Sequence, residues 1–149
     1  MSIWEDIGAI YDRPGVKALC LELQDEHGQC VSYLLWAGWA ARQGRFVTPA
    51  GLAACARLAR GWDAIALKPQ RRMFRAARAI LLRIGVPAGV ALKLLLGPER
   101  LLLYALEAQT PAVGVEVSAP EALARAARAW RAPAPAELLA ELASAFSRQ

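Results

Sequence analysis

The stretch that decides the fold class runs from Lys68 to Ile84 and reads KPQRRMFRAARAILLRI. On a helix that turns about 100° per residue, its cations share one arc of about 140° and its apolar residues lie on the opposite side. The cations are Lys68, Arg71, Arg72, Arg75, Arg78 and Arg83, and the apolar residues are Met73, Phe74, Ala77, Ile80, Leu81 and Ile84. This pattern predicts an amphipathic helix whose apolar stripe faces a core.

The composition of the whole chain favours the same secondary structure. Ala and Leu supply 32 and 22 of the 149 residues, against 16 for Val, Ile and Thr together, and there is no Asn. Strong helix formers therefore dominate, and a β-sandwich or a parallel-sheet enzyme is nearly excluded. Since 56% of the residues are hydrophobic, the chain is long and apolar enough to bury one sizeable core.

Pro and Gly separate a series of segments with helical periodicity. The predicted helices are Trp4–Tyr11, Val16 to Gly28, Val31–Arg42, Thr48 to Trp62, Lys68–Ile84, Pro87–Leu96, Pro98–Glu107, Ser118 to Arg131 and Ala136–Phe146. We expect an all-α single domain of six to nine helices that ends in a helical hairpin. Residues 1–109 are predicted to form the core domain, and residues 110–149 a linker and a C-terminal hairpin, packed on the core or appended to it.

Charge is unevenly distributed along the chain. The net charge is +5, and 15 of the 18 basic residues are Arg. Residues 1–26 carry six acids and two bases, whereas residues 57–100 carry ten bases and two acids. This asymmetry indicates either an acidic or phosphate-bearing partner or pairing between the two parts of the chain.

Gln24 and Asp25 form a polar pair near the predicted end of the second helix. Asp25 and Glu26 place two carboxylates where the helix dipole disfavours negative charge. Asp25 could position a ligand, cap the following helix or pair with an arginine of the basic helix. We favour a structural role, because internal pairing satisfies the charge without a ligand.

The remaining candidate side chains are three cysteines and one histidine. Cys20, His27, Cys30 and the distant Cys55 do not have the spacing of a usual zinc site, and Cys20 lies on an apolar helix face. We expect reduced, buried thiols and an exposed His27 in a turn. No catalytic residue, metal or cofactor is predicted, and no phosphate-binding loop or nucleophile elbow is present.

A cytoplasmic location is expected. The N-terminus carries Glu5 and Asp6 where a secretory signal would carry bases. The most apolar stretch, Ala79–Leu96, contains Arg83, Pro87 and Lys93, so we expect no membrane-spanning helix.

The N-terminal residues carry a family resemblance. The stretch Tyr11–Gly28 and the residues Val31, Leu34, Leu35 and Trp39 resemble the opening signature of a family of bacterial helical proteins without an assigned function. That signature is a Tyr-x-x-Pro-Gly-Val element followed by Cys-Leu-x-Leu-Gln-Asp-x-x-Gly and a leucine-rich helix that ends in Trp. The likeness continues through Trp62 and the Lys68–Arg72 run to about Glu107, and it implies no activity.

The arginine-rich face has three interpretations. It could be merely solvated, it could bind nucleic acid through phosphates, or it could bind an acidic protein or residues 1–26 of the same chain. The expected partner of the protein as a whole is an unidentified protein or, by self-association, the protein itself. We expect a non-enzymatic interaction or regulatory protein of the bacterial cytoplasm, with Lys68, Arg71, Arg72, Arg75 and Arg78 as its binding face. The alternatives are a nucleic-acid-binding protein and, third, a helical enzyme.

Overall fold

The computed structural model of the chain describes residues 2–85 and 97–147, without the side chains of Phe74 and Arg78. The helices are α1 (Ile3–Tyr11), α2 (Val16–His27), α3 (Val31–Arg42), α4 (Pro49–Trp62), a π turn (Asp63–Leu67), α5 (Lys68–Arg83), α6 (Gly97–Ala108), α7 (Ala119–Trp130) and α8 (Ala136–Ser147). Because α4, the π turn and α5 follow without interruption, they form one continuous helical rod. In the described residues there is no strand, and the predicted all-α single domain is confirmed.

The helices begin where the sequence places their caps. The Thr48 hydroxyl accepts a hydrogen bond from the Gly51 N–H at 3.2 Å, and Pro49 opens α4, as predicted. The Ser118 hydroxyl accepts from the Glu121 N–H at 3.3 Å and caps α7. The reciprocal bond of a capping box is not formed there, and the Glu121 carboxylate accepts from Arg125 instead.

Helix α3 lies at the centre of the domain. Every residue from 32 to 41 is buried, and α3 packs against α1, α2, α6, α7 and α8. The Trp36 ring stacks on Tyr33 at a centroid distance of 5.8 Å, and Tyr33 contacts Trp130 of α7 at 5.5 Å. Burial of Trp36 and Trp39 agrees with their large apolar surfaces, whereas Trp4 and Trp62 are partly buried at the edge of the core.

The C-terminal helices share the core with α1–α3. The Tyr33 hydroxyl donates to the Ala126 carbonyl at 2.9 Å, and the Trp130 indole donates to the Gly28 carbonyl at 2.9 Å. Leu123, Ala126 and Leu142 belong to the same buried cluster as α3. The hairpin therefore packs on the helices before it, and the division of the chain near residue 109 stays a prediction.

The segment before α7 is held by the loop after α3. Val115 donates its backbone N–H to the Phe46 carbonyl at 2.7 Å, which forms an isolated antiparallel bridge. The Arg45 guanidinium donates to the Pro111 carbonyl at 2.8 Å. The segment predicted as a linker is therefore fixed to the loop after α3.

The close crossing of α3 and α8 depends on Gly38. A Cβ at this position would lie 2.7 Å or less from three ring carbons of Phe146. We expect Gly38→Ala to lower the free energy of unfolding by about 1–3 kcal/mol, because the Phe146 ring must move within a packed core. The matched control is Gly61→Ala in the exposed part of α4, where a Cβ would meet nothing within 4 Å.

Chemical denaturation measures both glycine variants. Gly61→Ala is expected to raise the free energy of unfolding by about 0.5–1 kcal/mol, since alanine is the better helix former. Equal effects of the two substitutions would contradict the close packing of Gly38 on Phe146.

Two predictions from the sequence concern the segment after α5. The predicted helix Pro87–Leu96 lies outside the described residues. Among the helices that the structure describes, none is both long enough and apolar enough to cross a bilayer.

Candidate docking surface on helix α5

Helix α5 starts from an ion-paired aspartate in the π turn. The Arg71 Nη2 donates to Asp63 Oδ1 at 2.7 Å, and Lys68 Nζ lies 3.6 Å from Asp63 Oδ2. The Asp63 side chain is only 6% exposed and that of Arg71 is 23% exposed. Two of the predicted binding residues therefore form an internal ion pair that fixes the first turn of α5 to the body of the protein.

The other predicted cations are placed differently. Arg72, Arg75 and Arg83 are exposed, and within the described residues they form no ion pair. The side chain of Arg78 lies outside the described part of the chain. The predicted cationic face thus has two parts. Lys68 and Arg71 in the first turn of α5 are ion-paired, and Arg72, Arg75 and Arg83 form no ion pair in the described residues.

The predicted core-facing stripe of α5 is wrong for Met73, Ile80 and Ile84. Met73, Ile80 and Ile84 are 62%, 60% and 70% exposed, and Ala77 and Leu81 are half-buried. Phe74 has its side chain outside the described residues. Among the described elements, the principal packing partner of α5 is the π turn before it. Amphipathic spacing shows that a helix has an apolar face, but another element must be present to cover that face.

Helix α5 carries exposed cations on one side and exposed apolar side chains on the other, and on a helical projection Arg72 and Arg83 border the apolar side. We call this surface the α5 ridge, and it consists of Arg72, Met73, Arg75, Ile80, Arg83 and Ile84. Ile65, in the π turn below it, is 82% exposed. Monomeric proteins rarely expose adjoining large apolar side chains without a partner, so the α5 ridge is the strongest candidate site in the described part of the chain.

Polar groups are buried where α5 and α6 approach each other. Burial raises the pKa of the Glu99 carboxyl, while a hydrogen bond from Gln70 and the charge of Arg71 act in the opposite direction. Gln70 Oε1, Arg71 Nε and Glu99 Oε2 are buried without a hydrogen-bond partner. In addition, the Trp62 indole at the end of α4 donates to the Pro98 carbonyl of α6 at 2.8 Å.

Sequence reasoning missed Asp63 and Glu99, although a signal was present. They are the two acids among ten bases in residues 57–100. An isolated carboxylate in so basic a segment is a natural partner for its arginines. The spacing from Asp63 to Lys68 and Arg71 spans the π turn, so an α-helical projection alone does not bring the three together.

Gln24 and Asp25 lie at the end of α2, away from Asp63 and its partners. Gln24 Nε2 donates to Asp25 Oδ1 at 3.4 Å, and Asp25 is exposed. Of the roles considered for Asp25, pairing with the basic helix is not seen among the described side chains, where Asp63 instead takes Arg71 and Lys68. The Asp25 carboxylate at the end of α2 is therefore left without a cationic partner in the described chain.

The exposed end of α2 forms a shallow acidic depression of about 590 Å³. We call it the α2 acidic surface, and it is lined by Leu21, Glu22, Asp25, Glu26 and His27. Leu21 is 43% exposed, and His27 is half-buried at the last position of the helix rather than fully exposed. In the described chain no cation forms an ion pair with these three carboxylates.

A second groove, of about 290 Å³, lies between the start of α4 and α7. It is lined by Phe46, Val47, Pro49, Leu52, Arg125 and Arg128. The Arg125 guanidinium already donates to Glu121 at 2.8 Å, and Arg128 lies 3.8 Å from the same carboxylate. Since its cations are engaged within α7, this groove offers a ligand little free charge.

The three cysteines are free and buried. Burial raises the pKa of Cys20 and of Cys30 to about 12 and that of Cys55 to about 11. As far as the structure describes the chain, no three His, Cys, Asp or Glu side chains are grouped as a metal site. Cys20 packs with Val16, Leu19 and Leu23 on the inner face of α2, as its spacing predicts.

Thiol reactivity tests this placement. Near pH 8 we expect the folded protein to react only slowly with a disulfide reagent such as Ellman's, because the thiolate is the nucleophile and burial disfavours it. The control is the same chain in guanidinium, where all three thiols should react rapidly. A thiol that reacts equally fast in the folded protein would contradict its burial.

Comparison with protein families places the chain in one of them. A family of proteins of unknown function (DUF2390) matches residues 2–84. The chain belongs to this family. The match starts before α1 and ends just after α5, so the family region includes both the α5 ridge and the α2 acidic surface. No curated protein and no solved structure matches the chain.

Proposed function

We propose that this DUF2390 protein is a non-enzymatic interaction protein of the cytoplasm that docks onto an acidic partner through the α5 ridge. The observation that carries this proposal is that Met73, Ile80 and Ile84 are exposed on the same helix as the unpaired Arg72, Arg75 and Arg83. Covering one such apolar side chain completely contributes about 1.5–3 kcal/mol. A partner with both acidic and apolar groups would satisfy the whole surface.

The arginines favour carboxylate groups in that partner. A guanidinium presents its donors in a planar fork that matches a carboxylate, and it loses less hydration on burial than an ammonium. A face that is only solvated needs cations but has no use for the apolar residues beside them. Phosphate binding to nucleic acid likewise uses the charge and leaves the apolar residues without a role.

A binding experiment with defined probes tests the proposal. The probes are a fluorescent synthetic helix with leucine on one face and glutamate on the other, and a fluorescent DNA duplex. We expect the peptide to bind, and Arg72→Glu with Arg75→Glu to weaken its affinity about tenfold or more, because like charges then face each other. Met73→Ser with Ile80→Ser should lower the affinity for the peptide and leave any affinity for DNA unchanged.

The matched control is Arg42→Glu with Arg57→Glu, which changes the net charge equally at two exposed arginines outside α5. This control should retain peptide binding. Equal losses in the control and the α5 variant would contradict a specific role of the α5 ridge. Binding of the duplex alone, with a steep dependence on salt, would support the nucleic-acid alternative instead.

A further inference from the structure

The protein carries a complement to the α5 ridge on its own surface. The α2 acidic surface combines three carboxylates with the exposed side chain of Leu21 in a shallow depression. The α5 ridge combines three unpaired arginines with exposed Met and Ile side chains. Each surface therefore offers the charge and the apolar contact that the other lacks.

The α2 acidic surface is electrostatically strained when it is left alone. Asp25 and Glu26 lie in the last turn of α2, where the carbonyl ends of the helix add a partial negative charge. Glu22 lies one turn earlier on the helix, and in the described chain no basic side chain is within ion-pair distance of any of the three. A cationic helix laid across this surface would relieve repulsion among the carboxylates and the dipole.

Among the described side chains, no ion pair joins the two surfaces within one chain. Among the described elements, α2 packs mainly against α1, α3 and α8, whereas α5 packs mainly against the π turn. The Lys68 and Arg71 side chains at the foot of α5 are held by Asp63. The unpaired charges of both surfaces are thus left for contact with another molecule.

We infer that the α5 ridge of one copy docks on the α2 acidic surface of a second copy. This inference rests on the proposed function and names the acidic partner as the protein itself. Because the two surfaces differ, two assemblies fit the contact. It occurs twice in a two-fold symmetric pair, which is an isologous interface, or it repeats head to tail from copy to copy, which is a heterologous one. Association depends on exposed charges and weakens as salt is raised.

A charge exchange tests this contact. In the acidic-surface variant, Glu22→Arg is combined with Glu26→Arg, two exposed residues one turn apart. In the ridge variant, Arg72→Glu is combined with Arg75→Glu. Sedimentation velocity at low salt measures the association of each variant over a range of concentrations.

We expect the wild-type mass to rise with concentration and the association constant of each variant to fall at least tenfold. Mixing the two variants should restore association. The acidic ridge of one variant then faces the basic α2 surface of the other, and the unchanged surfaces also face each other. A single chain with all four substitutions should also associate, and the Arg42→Glu with Arg57→Glu control should behave as wild type. New cations at the end of α2 suit the helix dipole, so the acidic-surface variant is expected to keep its melting temperature.

Several results would overturn the inference. A wild-type protein that stays monomeric at every concentration, or variants that fail to associate when mixed, would exclude this contact. If wild type is monomeric but binds the acidic peptide through α5, the proposed function survives and only the second copy is excluded as the partner. If the ridge variant keeps both peptide binding and self-association, the proposed function and this inference are both contradicted. Binding of wild type and the acidic-surface variant alike to vesicles of anionic phospholipid, with no self-association, would assign the α5 ridge to a lipid surface.

Discussion

Replacement of Trp36 by alanine is expected to lower the free energy of unfolding by about 3–5 kcal/mol. The Trp36 side chain is fully buried at the centre of α3, where it contacts the rings of Tyr33 and Phe46. Its indole N–H also donates to the Thr110 hydroxyl at 2.9 Å. The variant therefore loses the packing of a large ring and leaves a cavity, and a buried hydroxyl loses one of its partners.

Chemical denaturation followed by circular dichroism measures this effect. The matched control is Trp4→Ala, because Trp4 is only partly buried and its ring lies 5.6 Å from the Arg100 guanidinium at the surface. Trp4→Ala is expected to have the smaller effect. If both tryptophan variants lower the free energy of unfolding by the same small amount, α3 is not the centre of the core.

The second large effect is expected from Asp63→Ala, which removes the anchor of α5. Removal of one partner of a buried ion pair costs about 3–5 kcal/mol, and we expect a value near the lower end because Arg71 remains 23% exposed. The Arg71 guanidinium, whose Nε already lacks a hydrogen-bond partner, would then be left partly buried without its carboxylate. Destabilisation should be greatest at the junction of the π turn and α5.

A double-mutant cycle with Arg71→Ala separates the ion pair from the other contacts of Asp63. We expect the two effects to be non-additive by at least about 1 kcal/mol, since the residues bond directly. The surface pair of Arg125 and Glu121 serves as a control, and its cycle should give about 0–1 kcal/mol because both side chains are solvated. An additive cycle at Asp63 and Arg71 would show that the ion pair contributes nothing to the anchor.

Most of the secondary structure could be predicted because it depends on local features. The Thr48 and Ser118 caps, the prolines that follow them and the apolar spacing of α2 act within one or two helical turns. Val16, Leu19, Cys20 and Leu23 share a face in any helix, and all four are buried. The same reasoning identified the cations and the apolar residues of α5 as separate sets.

The role of each set of α5 residues was decided by the tertiary structure. Periodicity shows which residues share a face, but whether that face is covered depends on elements that are distant in the sequence. α7 packs on α3 and buries its apolar side, whereas Met73, Ile80 and Ile84 of α5 remain exposed.

The sequence by itself determined that the chain is helical, where most helices begin, and that a strongly basic helix is present. Only the tertiary structure decided that Asp63, rather than Asp25, pairs with Arg71 and Lys68. Ion pairs depend on distances of a few ångströms, and the change of helical register in the π turn sets those distances. Counting charges along the chain shows which segments are acidic or basic. Which charged side chains form ion pairs depends on the folded backbone.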